Sequence, residues 1–523
     1  MGVSVAVGRS LERSSILPPA LIAGSVALLA VGVAGGLSAP PLVALVVLVT
    51  LATLVRVVGM VAWPWLIAAL ILLILFVPIR RYFFPVTLPF QLEPYRVYVA
   101  VLLVGWSASL LVDGRTRLRR TGLEGPIIAI VAASIASIVA NPERVAGVSS
   151  FVDRKLMFLL SFVFVLYLVA SVIRRLDEVD FLVKALVTGG GVVALFAIVE
   201  ARVGFNVFDH LSTVIPFLDG HEIAGPDFVR YRAAKLRVFG SAEHPIAMSA
   251  AFVVLAPLAV YLARRYRQRR WTLCAVALVA ACAATVSRTG IVMFVVVVLV
   301  FLWLRPRETL RLWPVALVAL IAIKLVLPGT LGAIKQSFLP PGGLVAEQQS
   351  EPGELGSGRL ADLGPAFEEW SLQPLLGQGF GTRVVDLDAG VPPAIILDNQ
   401  WLGTLLEMGA IGLVAWCWFF FRVVRRFGAE ARRDRSERGW LLASLAAAAA
   451  AFAVGMLTYD AFSFIQVTFL VFVLVGLGCS LLAERPVPHA VPVPDRPTLR
   501  TRRRRSLWDP IGRRSLWDPI ARS

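Results

Sequence analysis

Charged residues and cysteines are scarce in this chain. Charged side chains make up 16% of its 523 residues, and only four cysteines occur. All four (Cys274, Cys282, Cys417 and Cys479) fall within apolar runs, so we interpret them as small buried hydrophobic residues rather than as disulfides or metal ligands. Hydrophobic residues reach 58%, and the mean hydropathy is +0.78. A soluble protein of this size cannot bury that much apolar surface, so we predict an all-α polytopic membrane protein.

Three common signatures are also missing. The first apolar run begins at Pro19 without a small-residue cleavage pattern, so no cleavable signal peptide is expected. The glycine-rich segment Gly377–Gly381 is not followed by Lys-Ser/Thr, so it predicts a tight turn rather than a nucleotide phosphate loop. The histidines and carboxylates of the first long loop show no diagnostic metal spacing; they are His210, His221 and His244, with Asp209, Asp219, Glu222 and Asp227. We therefore expect no metal and no cofactor.

The apolar runs predict about fourteen membrane-spanning helices, within a range of 12–14, because about 20 apolar residues cross the hydrocarbon core. We place them at residues 20–37, 41–58, 61–78, 95–112, 125–140, 155–173, 181–199, 245–263, 271–286, 289–304, 312–328, 400–421, 440–458 and 461–482. They form a transmembrane domain of residues 20–482. It follows a cytoplasmic N-terminus, residues 1–19, and precedes a tail, residues 483–523.

The net charge of +17 reflects arginines in short loops, where they set topology on the cytoplasmic side rather than bind nucleic acid. The clusters assigned to that side are Arg115–Arg120, Arg174/Arg175, Arg264–Arg270, Arg305–Arg311 and Arg422–Arg438. Both termini are then cytoplasmic, and the long loops 201–244 and 329–398 are external. Two external loops depart from the rule, with Arg80/Arg81 and with Arg144/Arg154/Lys155. We expect an external turn at Ser287–Gly290 and a helical patch over Arg359–Trp370.

Three arginines are candidates for binding an anion at the external face. Arg237 stands in Arg-Val-Phe-Gly, Arg288 in Ser-Arg-Thr-Gly, and Arg359 in Ser-Gly-Arg-Leu. Guanidinium forms bidentate bonds with phosphate oxygens. For Arg237 and Arg288 the alternative is an interfacial anchor whose charge reaches the water layer.

Carboxylates and a histidine near the same loops are candidates for acid–base chemistry. Asp398 lies where the second loop enters a helix, so it either caps that helix or acts as a general base. Asn399 follows it, and Glu407 lies deeper in the helix, where it needs a partner or a cavity. Glu243 and His244 are alternative bases at the end of the first loop.

The tail is proline-rich and ends in a tandem repeat, Arg-Arg-Ser-Leu-Trp-Asp-Pro-Ile, at 504–511 and 513–520. Two copies of a short peptide suit bivalent docking to a cytoplasmic partner, with Trp508 and Trp517 as anchors. The alternative is a basic, Trp-containing segment that lies on anionic membrane lipids.

Taken in order, these motifs resemble the O-antigen ligase and polymerase superfamily of bacterial envelope glycan enzymes. The resemblance runs from about Leu195 to about Val424, and its last block is Asp398-Asn399-Gln400-Trp401-Leu402…Glu407-Met408-Gly409-Ala410-Ile411-Gly412. The family has a histidine where this chain has Asp398. That difference weakens a ligase assignment specifically and fits a polymerase or an unclassified relative at least as well.

The resemblance implies a multi-pass enzyme of the bacterial plasma membrane. It would be an inverting, metal-independent glycosyltransferase of the multi-span (GT-C-like) architecture. Its substrates would be a polyprenyl-diphosphate-linked glycan and a glycan, lipid or wall acceptor, with Arg237 and Arg359 on the diphosphate. Two other functions remain open: a transporter or flippase of lipid-linked oligosaccharide, and an inactive scaffold that acts through its tail.

Overall fold

The computed structural model describes residues 61–85, 92–112, 117–216, 218–220, 231–232, 235–343, 345, 360–384 and 397–483. The expected spans 20–37 and 41–58, Arg359, and the repeats with Trp508 and Trp517 lie outside the described residues. So do His221, Glu222 and Asp227.

The first half of the described chain is helical apart from two short strand pairs. Its helices are α1 (Trp63–Phe76), α2 (Pro94–Val112), α3 (Glu124–Ala140), α4 (Pro142–Gly147), α5 (Ser149–Val172), α6 (Leu176–Val203) and α7 (Leu211–Val214). A 3₁₀ turn covers Val207–His210. Strands β1 (Tyr82–Phe83) and β2 (Asp219–Gly220) pair antiparallel, with Tyr82 opposite Gly220; β3 (Tyr231–Arg232) and β4 (Lys235–Leu236) pair likewise, with Tyr231 opposite Leu236.

The second half continues with helices. They are α8 (Pro245–Tyr266), α9 (Arg269–Ala284), α10 (Arg288–Leu304), α11 (Pro306–Leu310), α12 (Trp313–Val326), α13 (Thr330–Phe338), α14 (Leu363–Ser371), α15 (Gln400–Arg433), α16 (Glu437–Gly455) and α17 (Ile465–Ala483). A second 3₁₀ turn covers Ala461–Ser463. Helix α14 confirms most of the helical patch expected at 359–370.

Every expected span that falls within the described residues is a helix. Seven helices (α2, α5, α6, α8, α15, α16 and α17) are long and apolar enough to cross a membrane, and the bent pair α12–α13 is an eighth if it counts as one span. Helices α1, α3 and α10 are apolar but shorter. The described residues thus form a polytopic all-α protein, whereas the number fourteen stays a prediction.

The core is built around α8 and α17. Their apolar windows are 89% and 94% buried by the rest of the chain. Both helices are apolar on every side, as expected of helices enclosed by others rather than exposed along one face. Of the four cysteines, Cys282 and Cys479 are buried as expected. Cys274 is half-buried, and Cys417 is exposed because it lies on the outer side of α15.

Consecutive helix ends alternate between two faces of the bundle. We call the end that carries Glu243, Thr285, Gln400, Thr458 and Gln466 the site face, since side chains and backbone there contact one another across elements. The opposite end, which we call the basic face, joins Arg264 to Glu308, Arg305 to Ala431, and Arg438 to Leu481. The described parts of both long loops lie at the site face, where the Lys235 side chain packs against Gly329.

Candidate active site

The Arg-Val-Phe-Gly segment is held by a buried carboxylate from α6. The Glu200 carboxylate accepts hydrogen bonds from the backbone N–H groups of Phe239 (3.0 Å) and Gly240 (2.8 Å). Gly240 has a positive φ of 55°, which glycine adopts without steric cost. The side-chain amide of Asn206 donates a hydrogen bond of 3.0 Å to the carbonyl oxygen of Gly240. Glu200 and Asn206 therefore fix the turn that follows Arg237.

Arg237 is buried, with 3% of its surface exposed. Its Nε donates a hydrogen bond of 3.3 Å to the carbonyl oxygen of Thr285, the residue that ends α9. Carbonyls at a helix C-terminus carry partial negative charge and so stabilise a nearby cation. The guanidinium thereby lies at the turn that leads into the Ser-Arg-Thr-Gly motif, so two motifs far apart in sequence meet.

The Ser-Arg-Thr-Gly motif is the start of α10, whereas the sequence predicted a turn between two helices. Arg288 is the first residue of helix α10, and 8% of its surface is exposed. A Cβ added to Gly290 would overlap Ser249 of α8, so the glycine lets α8 and α10 approach closely. The Thr458 hydroxyl donates to the Thr289 hydroxyl at 3.0 Å. That bond joins the motif to the segment between α16 and α17, residues 456–464, which we call the 456–464 loop.

Helix α15 is broken at Gly409, whose φ of 65° and ψ of −167° are not helical. The segment Pro374–Gly379 docks into the break through its backbone. Gln378 and Gly379 donate to the carbonyls of Leu406 and Glu407 at 2.9 and 3.2 Å. In return, the N–H groups of Ala410 and Ile411 donate to the carbonyls of Pro374 and Leu375 at 2.9 and 3.3 Å. Four backbone groups at the break are thus paired, as the interior of a membrane favours.

This docking explains why glycine occurs at both Gly377 and Gly409. A Cβ on Gly409 would overlap the Leu375 backbone, and one on Gly377 would overlap the backbone of α15 at the break. The tight turn predicted at Gly377–Gly381 is present, with positive φ at Gly377, Gly379 and Gly381. The turn allows this segment to pack against the backbone of α15 at the break, a role that was not predicted from the sequence.

Beside the break, Glu407 is paired with a lysine from α5. The Lys155 ammonium lies 2.7 Å from the Glu407 carboxylate, which is largely buried. The backbone N–H of Arg383 approaches the same oxygen at 3.4 Å, and the Arg383 guanidinium binds Glu369 at 2.9 Å. Glu407 therefore has the partner that its depth in the membrane domain requires.

Asn399, not Asp398, caps α15. Its side-chain oxygen accepts from the Leu402 N–H at 3.2 Å. The capping role considered for Asp398 is therefore filled by its neighbour. Gln400 binds the 456–464 loop, because its N–H donates to the Met456 carbonyl at 2.8 Å and its Oε1 accepts from the Phe462 N–H at 2.8 Å.

That loop presents a second aspartate. Burial raises the pKa of Asp460 above its ordinary value, although the Lys155 charge lowers it; the charges of Glu407 and Asp398 raise it further. Asp460 also accepts a hydrogen bond from Ser463. Tyr459 is fully buried, and its hydroxyl has no hydrogen-bond partner among the described residues. Asp398, Glu407, Asp460 and Lys155 thus form one electrostatic group.

The two alternative bases already have partners. Arg80 lies 3.1 Å from the Glu243 carboxylate. Burial raises the pKa of Glu243, although Arg80 acts in the opposite direction. His244 caps α8, because its Nδ1 accepts from the Ile246 N–H at 3.1 Å. Its ring stacks on Phe464, which in turn stacks on Tyr459.

The described residues therefore place Arg237, Glu243, His244, Arg288, Asp398, Asn399 and Glu407 on one face. Sequence reasoning missed Arg80, Lys155, Glu200 and Asp460. A signal was available for two of them, because Arg80 and Lys155 belong to the loops that depart from the positive-inside rule. Among the metal-ligand types of the first loop, Asp209 binds Arg81, and the His210 ring stacks on Phe205.

The fold and the site define a multi-span helical membrane protein with a charged site at one face of its bundle. Residues 273–417 match the family model described as O-antigen ligase. The match confirms the resemblance drawn from the motifs and supports an enzyme that acts as a polysaccharide ligase or polymerase. It includes Arg288, Asp398 and Glu407 but not Arg237 or Asp460. No curated protein matches the chain.

Proposed function

We propose that the protein transfers a glycan from a polyprenyl-diphosphate carrier to an acceptor hydroxyl at the external face of a bacterial plasma membrane. The observation that carries this proposal is the convergence of predicted site residues. Arg237 contacts the turn before Arg288, and Thr289 contacts the 456–464 loop. Gln400, two residues after Asp398, binds the same loop. Cations and carboxylates thus lie along one connected path.

The arginines are suited to hold the departing diphosphate. Arg237 and Arg288 are both buried at the site face, and we propose that Arg359 joins them. A guanidinium offers several fixed N–H donors to phosphate oxygens. Charge that develops on a leaving group is stabilised most by fixed donors in a site from which water is excluded.

We propose Asp398 as the general base. The acceptor oxygen attacks the anomeric carbon as its proton passes to the Asp398 carboxylate. The bond from that carbon to the diphosphate oxygen breaks, and the electron pair leaves with polyprenyl diphosphate. A single displacement of this kind inverts the anomeric configuration. We choose Asp398 because it stands where the family has a histidine. Asn399 supplies the cap of α15, Glu243 is paired with Arg80, and His244 caps α8.

An apolar cavity supports a lipid-linked donor. It has a volume of about 550 Å³ and lies between α8, α9, α10, α12 and α13. Ile291, which lines it, is three residues from Arg288. A carrier with its diphosphate at the arginines has room for isoprene units along this wall.

A flippase of lipid-linked oligosaccharide remains the second candidate, since α15 is broken and α12 meets α13 at 105°. Discontinuous helices of this kind are common in transporters. Removing the protein from its cells separates the two functions. Loss of a transferase leaves lipid-linked precursor on the external leaflet and shortens the surface glycan, whereas loss of a flippase leaves precursor on the cytoplasmic leaflet. The second result would contradict the proposal.

The tail stays a separate proposal, in which its repeats dock a cytoplasmic partner bivalently. Pull-downs with the wild-type tail and with Trp508→Ala/Trp517→Ala decide it. Equal recovery by both tails, or binding of the tail to anionic liposomes alone, would contradict a partner.

A further inference from the structure

We propose that the basic face carries a binding site for the phosphate headgroup of an anionic phospholipid, built by the C-terminal half of α15. The site is a cavity of about 580 Å³ lined by Gly122, Trp418, Phe421, Arg422, Arg425, Arg426 and Ala429. Three of its seven lining residues are arginines, and none is acidic. This inference is independent of the proposed transfer reaction.

Glycines of the segment that begins α3 shape the cavity. Gly122 has a φ of +70°, and a Cβ there would overlap the Arg426 guanidinium. A Cβ on Gly125 would come within 2.8 Å of the Trp418 ring. Arg422 donates to the Gly122 carbonyl at 2.5 Å, and Arg426 donates to the Thr121 carbonyl. These contacts hold two guanidiniums in place without neutralising them, since their partners are uncharged.

Within the described residues no carboxylate forms an ion pair with any of the three arginines. The nearby Glu124 carboxylate is bound instead to the backbone N–H groups of Thr121 and Gly122. Arg422 and Arg426 are four residues apart on one helix, a spacing at which like charges repel and destabilise the helix. A bound anion relieves that repulsion. Arginine forks bind phosphate oxygens in pairs, so a phosphate group fits the cavity.

The position of the cavity selects a lipid as the source of that phosphate. Phe421 is 63% exposed and Trp418 is 41% exposed. They end the apolar run of α15, and Arg422 begins its basic segment, so the cavity lies at the depth where a membrane's hydrocarbon gives way to headgroups. Aromatic rings are typical of that layer. A phospholipid places its acyl chains against the two rings and its phosphate among the arginines.

Native mass spectrometry of the full chain, released from nanodiscs of mixed phosphatidylglycerol and phosphatidylcholine, tests the site. Wild type is expected to retain phosphatidylglycerol selectively. Arg422→Gln/Arg425→Gln/Arg426→Gln should weaken retention by about fivefold per arginine removed. Arg425→Gln alone is the gentler variant, because within the described residues Arg425 holds no backbone carbonyl, and it should lose about fivefold.

The matched control is Arg267→Gln/Arg269→Gln/Arg270→Gln, which removes the same charge from exposed positions at the same face. An equal loss of phosphatidylglycerol in this control would show attraction to surface charge in general and overturn the site. Equal retention of phosphatidylcholine by wild type would also overturn it. Displacement of the lipid by millimolar inorganic phosphate would show a free-anion site and contradict the lipid assignment.

Discussion

The two faces of this bundle use charge in different ways. On the site face, cations meet carboxylates from distant parts of the chain, as in Arg80–Glu243 and Lys155–Glu407. On the basic face, some arginines are paired, such as Arg265 with Asp180, but Arg422, Arg425 and Arg426 of α15 form no ion pair with any residue that the structure describes. An excess of cations orients a membrane protein, whereas pairs in which a cation meets a largely buried carboxylate build a site. The arginines that violate the positive-inside rule are therefore the more informative ones.

The comparison depends most on membrane topology: we expect the site face to be external and the basic face to be cytoplasmic. Cysteines introduced at Gly220 and at Gly353 are expected to react with impermeant maleimide in intact cells, and one at Gln268 of the basic face is not. The natural cysteines are first replaced by serine or alanine. Labelling at Gln268, or at only one of the two loop positions, would contradict the topology.

Removing a site-face arginine should have the largest effect on transfer. Arg237→Ala is expected to lower the transfer rate by about 100-fold or more, the usual loss when one donor to a developing charge is deleted. Arg237→Lys should recover little, because lysine lacks the planar fork. Initial rates with purified protein measure both. The control, Arg267→Ala on the basic face, should leave the rate near wild type.

The break in α15 should matter for folding more than any single charge does. Gly409→Ala places a Cβ against the Leu375 backbone at a positive φ, so we expect a loss of about 3 kcal/mol in stability. Thermal unfolding in detergent measures it. Gly332→Ala is the control, because no atom lies within 4 Å of its added Cβ and it is helical. A Gly409→Ala protein as stable as wild type would show that the docked segment can move away.

Substitutions at two adjacent residues, Asp398 and Asn399, distinguish a loss of stability from a loss of transfer activity. Asn399→Ala removes the cap of α15 and should cost about 1 kcal/mol of stability, with a smaller effect on the rate. Asp398→Asn should unfold like wild type and lose transfer. Full activity in Asp398→Asn would remove the proposed base, while an active Asp398→His would show equivalence with the family's histidine.

The smallest expected effect is a shift in pH dependence. Asp460 belongs to the same charged group as the proposed base, Asp398, and burial raises the pKa of Asp460 above the ordinary aspartate value. Protonation of Asp460 removes a negative charge near Asp398 and so makes the Asp398 carboxylate a weaker base. Activity should therefore fall on acidification at a pH above the range of an exposed aspartate. Asp460→Asn removes that group, so the acidic limb should move to lower pH. A rate profile that Asp460→Asn leaves unchanged would place Asp460 outside the reacting group.

The local pattern of apolar residues predicted the helices well. It could not predict contacts between segments that are far apart in the sequence. The apolar run of α17 predicts a span because its length and composition suffice. Nothing near Gly409 indicates the break, since its cause is a docked segment some thirty residues earlier in the sequence. Asn399 and Asp398 are both good caps, and only the observed hydrogen bond to Leu402 separates them. Asp460 carries no motif, because its position depends on how Gln400 binds the 456–464 loop.

The most direct test of the account is transfer by the purified protein in proteoliposomes. The donor is a synthetic polyprenyl-diphosphate-linked glycan, and the acceptor is a soluble glycan added outside. The account predicts that the acceptor is extended with an inverted linkage and that free polyprenyl diphosphate appears in equal amount. Asp398→Asn should abolish both, and Arg237→Ala should slow both by about 100-fold or more. Donor that crosses the bilayer with its diphosphate bond intact would contradict a transferase and identify a flippase.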